Sequence, residues 1–224
     1  MEVKFIPIYN DHINKNMKNS FSEIYTSCLI NKKSKDCNFV LKQMHFNLRD
    51  KYGNLYSKKK LNRKRIEIND FYNEITNQSI ASKFYLTSPI YKYYIEKEHC
   101  GFIMEKYHKT LLDLLKENIP LNEKYKLLDK AFHLLEKLHY YCDIIHKDAH
   151  LTNFMMNDKN ELKLIDFGLS KLHPNIEEKY NDFQIFIKNF KEQYFEKDNN
   201  ELIQYWTQKM IHCNTYHNYL LTYN

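Results

Sequence analysis

Asp148, Asn153 and Asp166 are the side chains whose types and spacing could do chemistry together. They fall in the stretch His146-Lys147-Asp148-Ala149-His150-Leu151-Thr152-Asn153-Phe154-Met155-Met156. A polar turn, Asn157-Asp158-Lys159-Asn160, follows, and then Leu162-Lys163-Leu164-Ile165-Asp166-Phe167-Gly168. Two short apolar runs flanking an Asn/Asp/Lys turn read as a β-hairpin. Such a hairpin holds Asp148 and Asn153, just before its first strand, close to Asp166 at the end of its second. One carboxylate can then accept a hydroxyl proton, while an amide and a second carboxylate hold a hard divalent cation. That is the side-chain set phosphoryl transfer requires.

The elements that must position this hairpin can be read on either side of it. Upstream, 19–30 and 37–44 read as two strands joined by the polar turn 31–36, and 89–95 and 100–104 as two more. Between these pairs, Asp70 reads as the N-cap of a helix over 71–82 with Phe71 and Ile75 on its apolar face. Thr110 caps a short helix over 111–117. A long helix over 122–141 carries Leu127, Leu128, Ala131, Leu134, Leu135 and Leu138 at helical spacing, which is core packing rather than a cofactor face. After Gly168, helices are expected around 182–187 and 202–210. Strands before and helices after make the fold class α+β.

Composition narrows the options. A chain of 224 residues fits one domain, or two lobes sharing a core. No apolar run reaches the length of a membrane span, and the start lacks a signal-peptide core, so an intracellular protein is expected. Cys28, Cys37, Cys100, Cys142 and Cys213 are scattered without a Cys-x-x-Cys pair, which argues for free thiols in a reducing compartment and against zinc or a disulfide framework. The net charge of +6 suits an anionic nucleotide, an acidic substrate or nucleic acid equally. Only three glycines beside many Lys, Asn, Ile and Tyr is the residue choice of an AT-rich genome, viral or parasitic. The expected location is the cytoplasm, the host's if the source is viral.

His146-Lys147-Asp148 followed by Asn153, and then Asp166-Phe167-Gly168, resembles the catalytic and metal-binding loops of the protein-kinase superfamily. Both motifs in order, joined by strand-turn-strand, carry the resemblance, which spans about residues 19–190. It implies a two-lobed fold: a β-rich N-lobe over 1–104, a hinge at 105–107 and a reduced, mainly helical C-lobe over 108–224. It implies ATP and Mg2+ as cofactors, with Asp148 as catalytic base and Asn153 and Asp166 as metal ligands. ATP would lie between the lobes, adenine between Ile24 and Val40 on one side and Met155 on the other. Phe39-Val40-Leu41-Lys42 resembles the kinase Val-Ala-Ile-Lys strand, placing Lys42 on the α- and β-phosphates; the alternative is an exposed strand lysine. Glu74 would be its ion-pair partner, or else a surface glutamate. Ile103-Met104-Glu105-Lys106-Tyr107 resembles the strand and hinge that bond adenine through the backbone, so Met104, Glu105 and Tyr107 would contact adenine; Met104 is equally consistent with a buried core methionine.

Several positions depart from the family pattern. Asn19, Ser20 and Ser22 stand where a glycine-rich phosphate loop is usual, and Asn tolerates the left-handed backbone better than most residues. Lys147 replaces the arginine that in many kinases binds a phosphorylated activation loop. His150 stands where serine/threonine kinases carry lysine, as in haspin-like and aminoglycoside-phosphotransferase-like enzymes. It either stabilises the transferring phosphate or bonds the loop backbone. Asp182 resembles the aspartate that braces the catalytic loop. Ile165-Asp-Phe-Gly-Leu-Ser170 and the short remainder resemble the small kinase of the KEOPS tRNA-modifying complex. The resemblance implies a protein serine/threonine kinase acting on a protein substrate. The alternatives are a small-molecule or KEOPS-type kinase or ATPase, and a nucleotide-binding pseudokinase that docks a partner. The basic segment 49–65 reads as a solvated insertion, a nucleic-acid-binding patch or a nuclear localisation signal.

Overall fold

The computed structural model describes residues 4–12, 22–30, 35–46 and 66–194, together with Gln204 and Gln208. Asn19, Ser20, the basic segment 49–65 and Cys213 lie outside the described residues. So does the expected helix at 202–210, apart from Gln204 and Gln208, which are helical. The chain divides into two compact units, Met1–Ser82 with Ser88–Lys106, and Lys83–Thr87 with Tyr107–Asn224.

The first unit is built on a five-stranded antiparallel sheet. Its strands are β1 (Lys4–His12), β2 (Ser22–Ile30), β3 (Lys35–His45), β4 (Lys92–Ile95) and β5 (His99–Glu105), in the order β1-β2-β3-β5-β4. β1 is an addition to the strands read from sequence. It carries Pro7 and lies at the sheet edge, where a missing N–H costs no ladder bond. β4 begins at Lys92 rather than at residue 89, although the Tyr91 N–H still reaches the Ile103 carbonyl.

Period-two alternation divides β3 between the two faces of the sheet. Val40 and Met44 pack with Phe71, Phe102 and Met104 on one face, with Ile24 against them. Phe39, Leu41 and Ile103 form a second cluster with Phe5, Tyr25 and Leu29. Gly101 is required by close approach: a Cβ there would sit 2.7 Å from the Lys42 carbonyl oxygen.

Cys28 and Cys37 form a disulfide, which corrects the expectation that all the thiols are free. Their wide sequence spacing hid the pairing. The β2–β3 register shifts between Ser27 and Leu29, and that irregularity sets Cys28 beside Cys37. Cys100 and Cys142 are free and buried, and burial pushes their thiols up to about 12 and about 11.

Helix α1 (Ile68–Lys83) belongs almost wholly to the first unit and buries Phe71, Glu74, Asn77, Gln78 and Ala81. It starts three residues earlier than expected, and Asp70 is not its N-cap. Instead the Asp70 carboxylate sits in the first turn and accepts from the Glu67 N–H at 3.0 Å. An aspartate serves either end of such an exchange, which is why the sequence misplaced it.

The second unit is mainly helical. The pair β6 (Lys109–Thr110) leads into α2 (Leu111–Lys116), where Thr110 and Asp113 form a reciprocal capping box. Helix α3 (Leu121–Tyr141) buries Leu128, Ala131, Phe132, Leu135, Leu138 and His139. Then come β7 (Ile144–Ile145), β8 (Phe154–Met156), β9 (Leu162–Leu164), β10 (Lys171–Leu172) and α4 (Ile176–Tyr194). β8 and β9 form the expected hairpin, extended by β6, and β7 pairs with β10. No helix among the described residues is long and apolar enough to cross a membrane.

Candidate active site

Lys42 lies on the face of β3 that meets α1, with Ile24 opposite it on β2 and Phe102 on β5. It is almost wholly buried, and its ammonium donates to the carboxylate of Glu74, which is buried as well. Glu74 reaches it because α1 presents Phe71, Glu74 and Gln78 along one face at three- and four-residue spacing. The Phe102 ring centroid lies 5.9 Å from Lys42 Nζ. Removing either partner would leave an uncompensated charge in the interior, so the pair ties α1 to the sheet.

The other first-unit positions fall on the same sheet. Val40 is opposite both Thr26 and Met104. Met104 is buried, with Gln78 Nε2 at 3.5 Å from its sulfur. Glu105 gives its N–H to Ser88 Oγ at 2.9 Å, and its carboxylate accepts from the Tyr91 hydroxyl at 3.0 Å. Burial and the Glu105 charge together push the Tyr91 phenol up to about 12. Ser22 opens β2, opposite Met44.

In the second unit Asp182 organises the loop that carries Asp148. Its Oδ1 accepts from the Lys147 N–H at 2.7 Å. Its Oδ2 accepts from the His146 N–H at 2.8 Å and faces His139 Nε2 at 2.9 Å. Burial pushes the Asp182 carboxyl up, but the His139 bond and the charges and N–H groups around it outweigh burial and hold it below the usual carboxylate range. Two consecutive N–H groups can aim at one carboxylate because Lys147 adopts φ 63°. His139 was missed in the sequence; the available signal was a histidine in line with Leu135 and Leu138 on a buried helix face.

His146 is fully buried, its Nε2 donating to the Ile165 carbonyl at 2.9 Å and its ring 5.3 Å from that of Phe167. This contact ties the start of the loop to the end of the hairpin. Asp166 follows in a left-handed conformation, φ 63° and ψ 69°, and Phe167 after it is fully buried. Strained backbone at Lys147 and Asp166, inside a segment otherwise fixed by hydrogen bonds, is characteristic of a working site.

Asp148 is held at both oxygens. Asn153 Nδ2 donates to its Oδ2 at 2.9 Å and to its backbone carbonyl at 2.8 Å, and His150 Nε2 is 2.9 Å from Oδ1. His150 therefore sits on the Asp148 carboxylate, a placement that neither sequence reading contained. With the Asn153 nitrogen committed to Asp148, its oxygen is the atom left to meet a cation. An amide oxygen and the Asp166 carboxylate fit Mg2+, which commonly takes one or two protein oxygens and completes its shell with phosphates and water. Among the described residues no group of three or more His, Cys, Asp or Glu side chains could hold a metal.

The Asn157–Asn160 turn of the hairpin is closed by Asn157 Oδ1, which accepts from the Lys159 and Glu161 N–H groups. Asn160 takes φ 58°, a left-handed position that asparagine tolerates. Met155 is half-buried on β8, opposite Lys163, and Tyr107 is buried within the second unit.

None of the curated proteins matches the chain. The family model for the protein kinase domain matches residues 11–189, a span that contains Lys42, Glu74, the Asp148–Asn153 loop, Asp166 and Asp182. On that match over most of its length the chain belongs to the protein kinase domain family, and its chemistry is that of a kinase, a phosphotransferase.

Proposed function

We propose that the chain is a Mg2+-ATP-dependent protein serine/threonine kinase. The observation that carries this reading is the Asn153–Asp148 bond. It aims a carboxylate oxygen whose partner is a neutral amide, and it turns the amide oxygen toward cation duty in the same step. Asp148 accepts the proton of an attacking hydroxyl, and His150 and Asn153 hold its carboxylate in the orientation that attack requires. Lys42, fixed by Glu74, orients the α- and β-phosphates of ATP. Asn153 and Asp166 would hold Mg2+, which supplies neutralisation of the phosphate charge. Adenine recognition is assigned to Ile24, Val40, Met104, Glu105, Tyr107 and Met155, and the phosphate-loop role to Asn19, Ser20 and Ser22.

The acceptor class is tested by supplying labelled ATP with generic protein substrates and, separately, with small hydroxyl compounds such as sugars and aminoglycosides. Label recovered as phosphoserine or phosphothreonine is the expected result. Label only on the small molecules would replace the protein-kinase assignment with a small-molecule phosphotransferase.

A further inference from the structure

The join between Gly168 and α4 is only residues 169–175, and the chain's own charges tie it down at both ends. At one end, β10 pairs with β7, Lys171 opposite Ile145 and Leu172 opposite Ile144. Lys171 Nζ then grips both carboxylate oxygens of Glu178 in the first turn of α4, at 2.7 and 2.8 Å. Glu178 also accepts from the Asn175 N–H at 3.0 Å, while Asn175 Oδ1 accepts from the Glu178 N–H at 2.9 Å. At the other end, Asp143, between α3 and β7, takes the His173 N–H on its backbone carbonyl at 2.9 Å. Its carboxylate faces His173 Nδ1 at 2.8 Å and accepts from Lys179 Nζ at 2.9 Å. Both Asp143 and His173 take left-handed backbone, φ 52° and 53°, so the chain accepts local strain to make this contact.

We propose that Glu178 and Asp143 are positioning residues that act as standing anions: they hold the Gly168-to-α4 segment in its working position, so that phosphate transfer needs no phosphorylation of this chain. The inference rests on the kinase reading above and adds its mode of regulation. Lysine bonds, chiefly from Lys171 to Glu178 and from Lys179 to Asp143, hold both carboxylates below their usual range, and the Lys147 charge adds to the field at Glu178. Lys147 lacks the planar fork with which an arginine grips a phosphate, whereas the anion its charge reaches is already covalently part of α4. Single exposed ion pairs contribute little. Here several converge on a join short enough that closing it costs little chain entropy, so together they can decide its position.

The test uses the full chain, with hydrogen exchange at the His173 and Asn175 amides read beside labelled phosphate transfer. Glu178→Gln keeps an oxygen for the Asn175 N–H but removes the charge, and it is combined with Asp143→Asn. The expected result is exchange about tenfold faster at both amides and kcat lowered three- to tenfold, with the KM for ATP unchanged. Swapping the charges in the wild type, Lys171→Glu with Glu178→Lys, should leave the His173 amide protected and keep most of kcat, which a general loss of stability would not; the Asn175 amide, whose acceptor a lysine cannot replace, should still exchange faster. Phosphatase treatment of the wild type should alter neither readout. Unchanged exchange in the double variant, or loss of protection and transfer on phosphatase treatment, would overturn the inference. Exchange that follows the prediction in a protein with no transfer at all would uphold the clamp and remove the kinase reading instead.

Discussion

Replacing Asp166 with alanine should lower Mg2+-dependent phosphate transfer by at least about a hundredfold, the scale expected when an electrostatic partner of the reacting group is deleted. The physical reason is ligand count. A hard divalent cation needs oxygen donors, and Asn153 alone supplies one neutral oxygen. The backbone adds a control. Asp166 sits at φ 63°, a conformation aspartate tolerates better than alanine, so part of any effect could come from local distortion. Asp166→Asn keeps that tolerance and one oxygen while removing the charge. It should bind nucleotide weakly and need more Mg2+ for half-maximal effect, whereas alanine should show no Mg2+ dependence of nucleotide binding. Wild-type Mg2+-ATP turnover in Asp166→Ala would remove the metal assignment.

The second large effect concerns Lys42, where stability and catalysis can be separated. Lys42→Met strands the Glu74 carboxylate in the interior, and breaking a buried ion pair by removing one partner costs about 3–5 kcal/mol. It also removes the contact to the phosphates, so turnover should fall at least about tenfold, roughly 1.4 kcal/mol in barrier. Replacing both partners, Lys42→Met with Glu74→Leu, puts an apolar pair between β3 and α1 and should recover most of the lost stability. It should recover none of the turnover. Denaturant unfolding and transfer assays on the same three proteins check this directly. Activity that returned with stability would mean that Lys42 is only a structural residue.

What the sequence disclosed follows from how local each feature is. Asp148, Asn153 and Asp166 flank one short hairpin whose turn residues announce it, and the three could be grouped before any tertiary information existed. Glu74 was reached through the resemblance, as the partner of Lys42, while helical spacing by itself left the register open to Asn73 and Gln78. Features that depend on pairing between distant segments were not legible. The edge strand β1 carries a proline and, among the described residues, pairs with β2 alone. The Cys28–Cys37 bond depends on a register shift that no spacing rule contains. His150 was assigned to phosphate or backbone, and it is the fold of its own loop that brings Nε2 to Asp148. The Lys171–Glu178 and Asp143–His173 contacts look in sequence like ordinary surface charge. Only the β7–β10 pairing and the start of α4 bring each set together.

The central claim is that Asp148 is the base of a working phosphotransferase, and Asp148→Asn tests it most directly. Asparagine has the same shape and keeps an oxygen for the Asn153 amide, but it cannot take a proton from a hydroxyl. Transfer of labelled phosphate from Mg2+-ATP to a protein acceptor should fall by about a hundredfold to ten-thousandfold relative to the wild type, the usual contribution of a positioned general base. Nucleotide binding should stay near the wild-type level. Equal transfer by wild type and Asp148→Asn, whether both are active or both at background, would contradict the account.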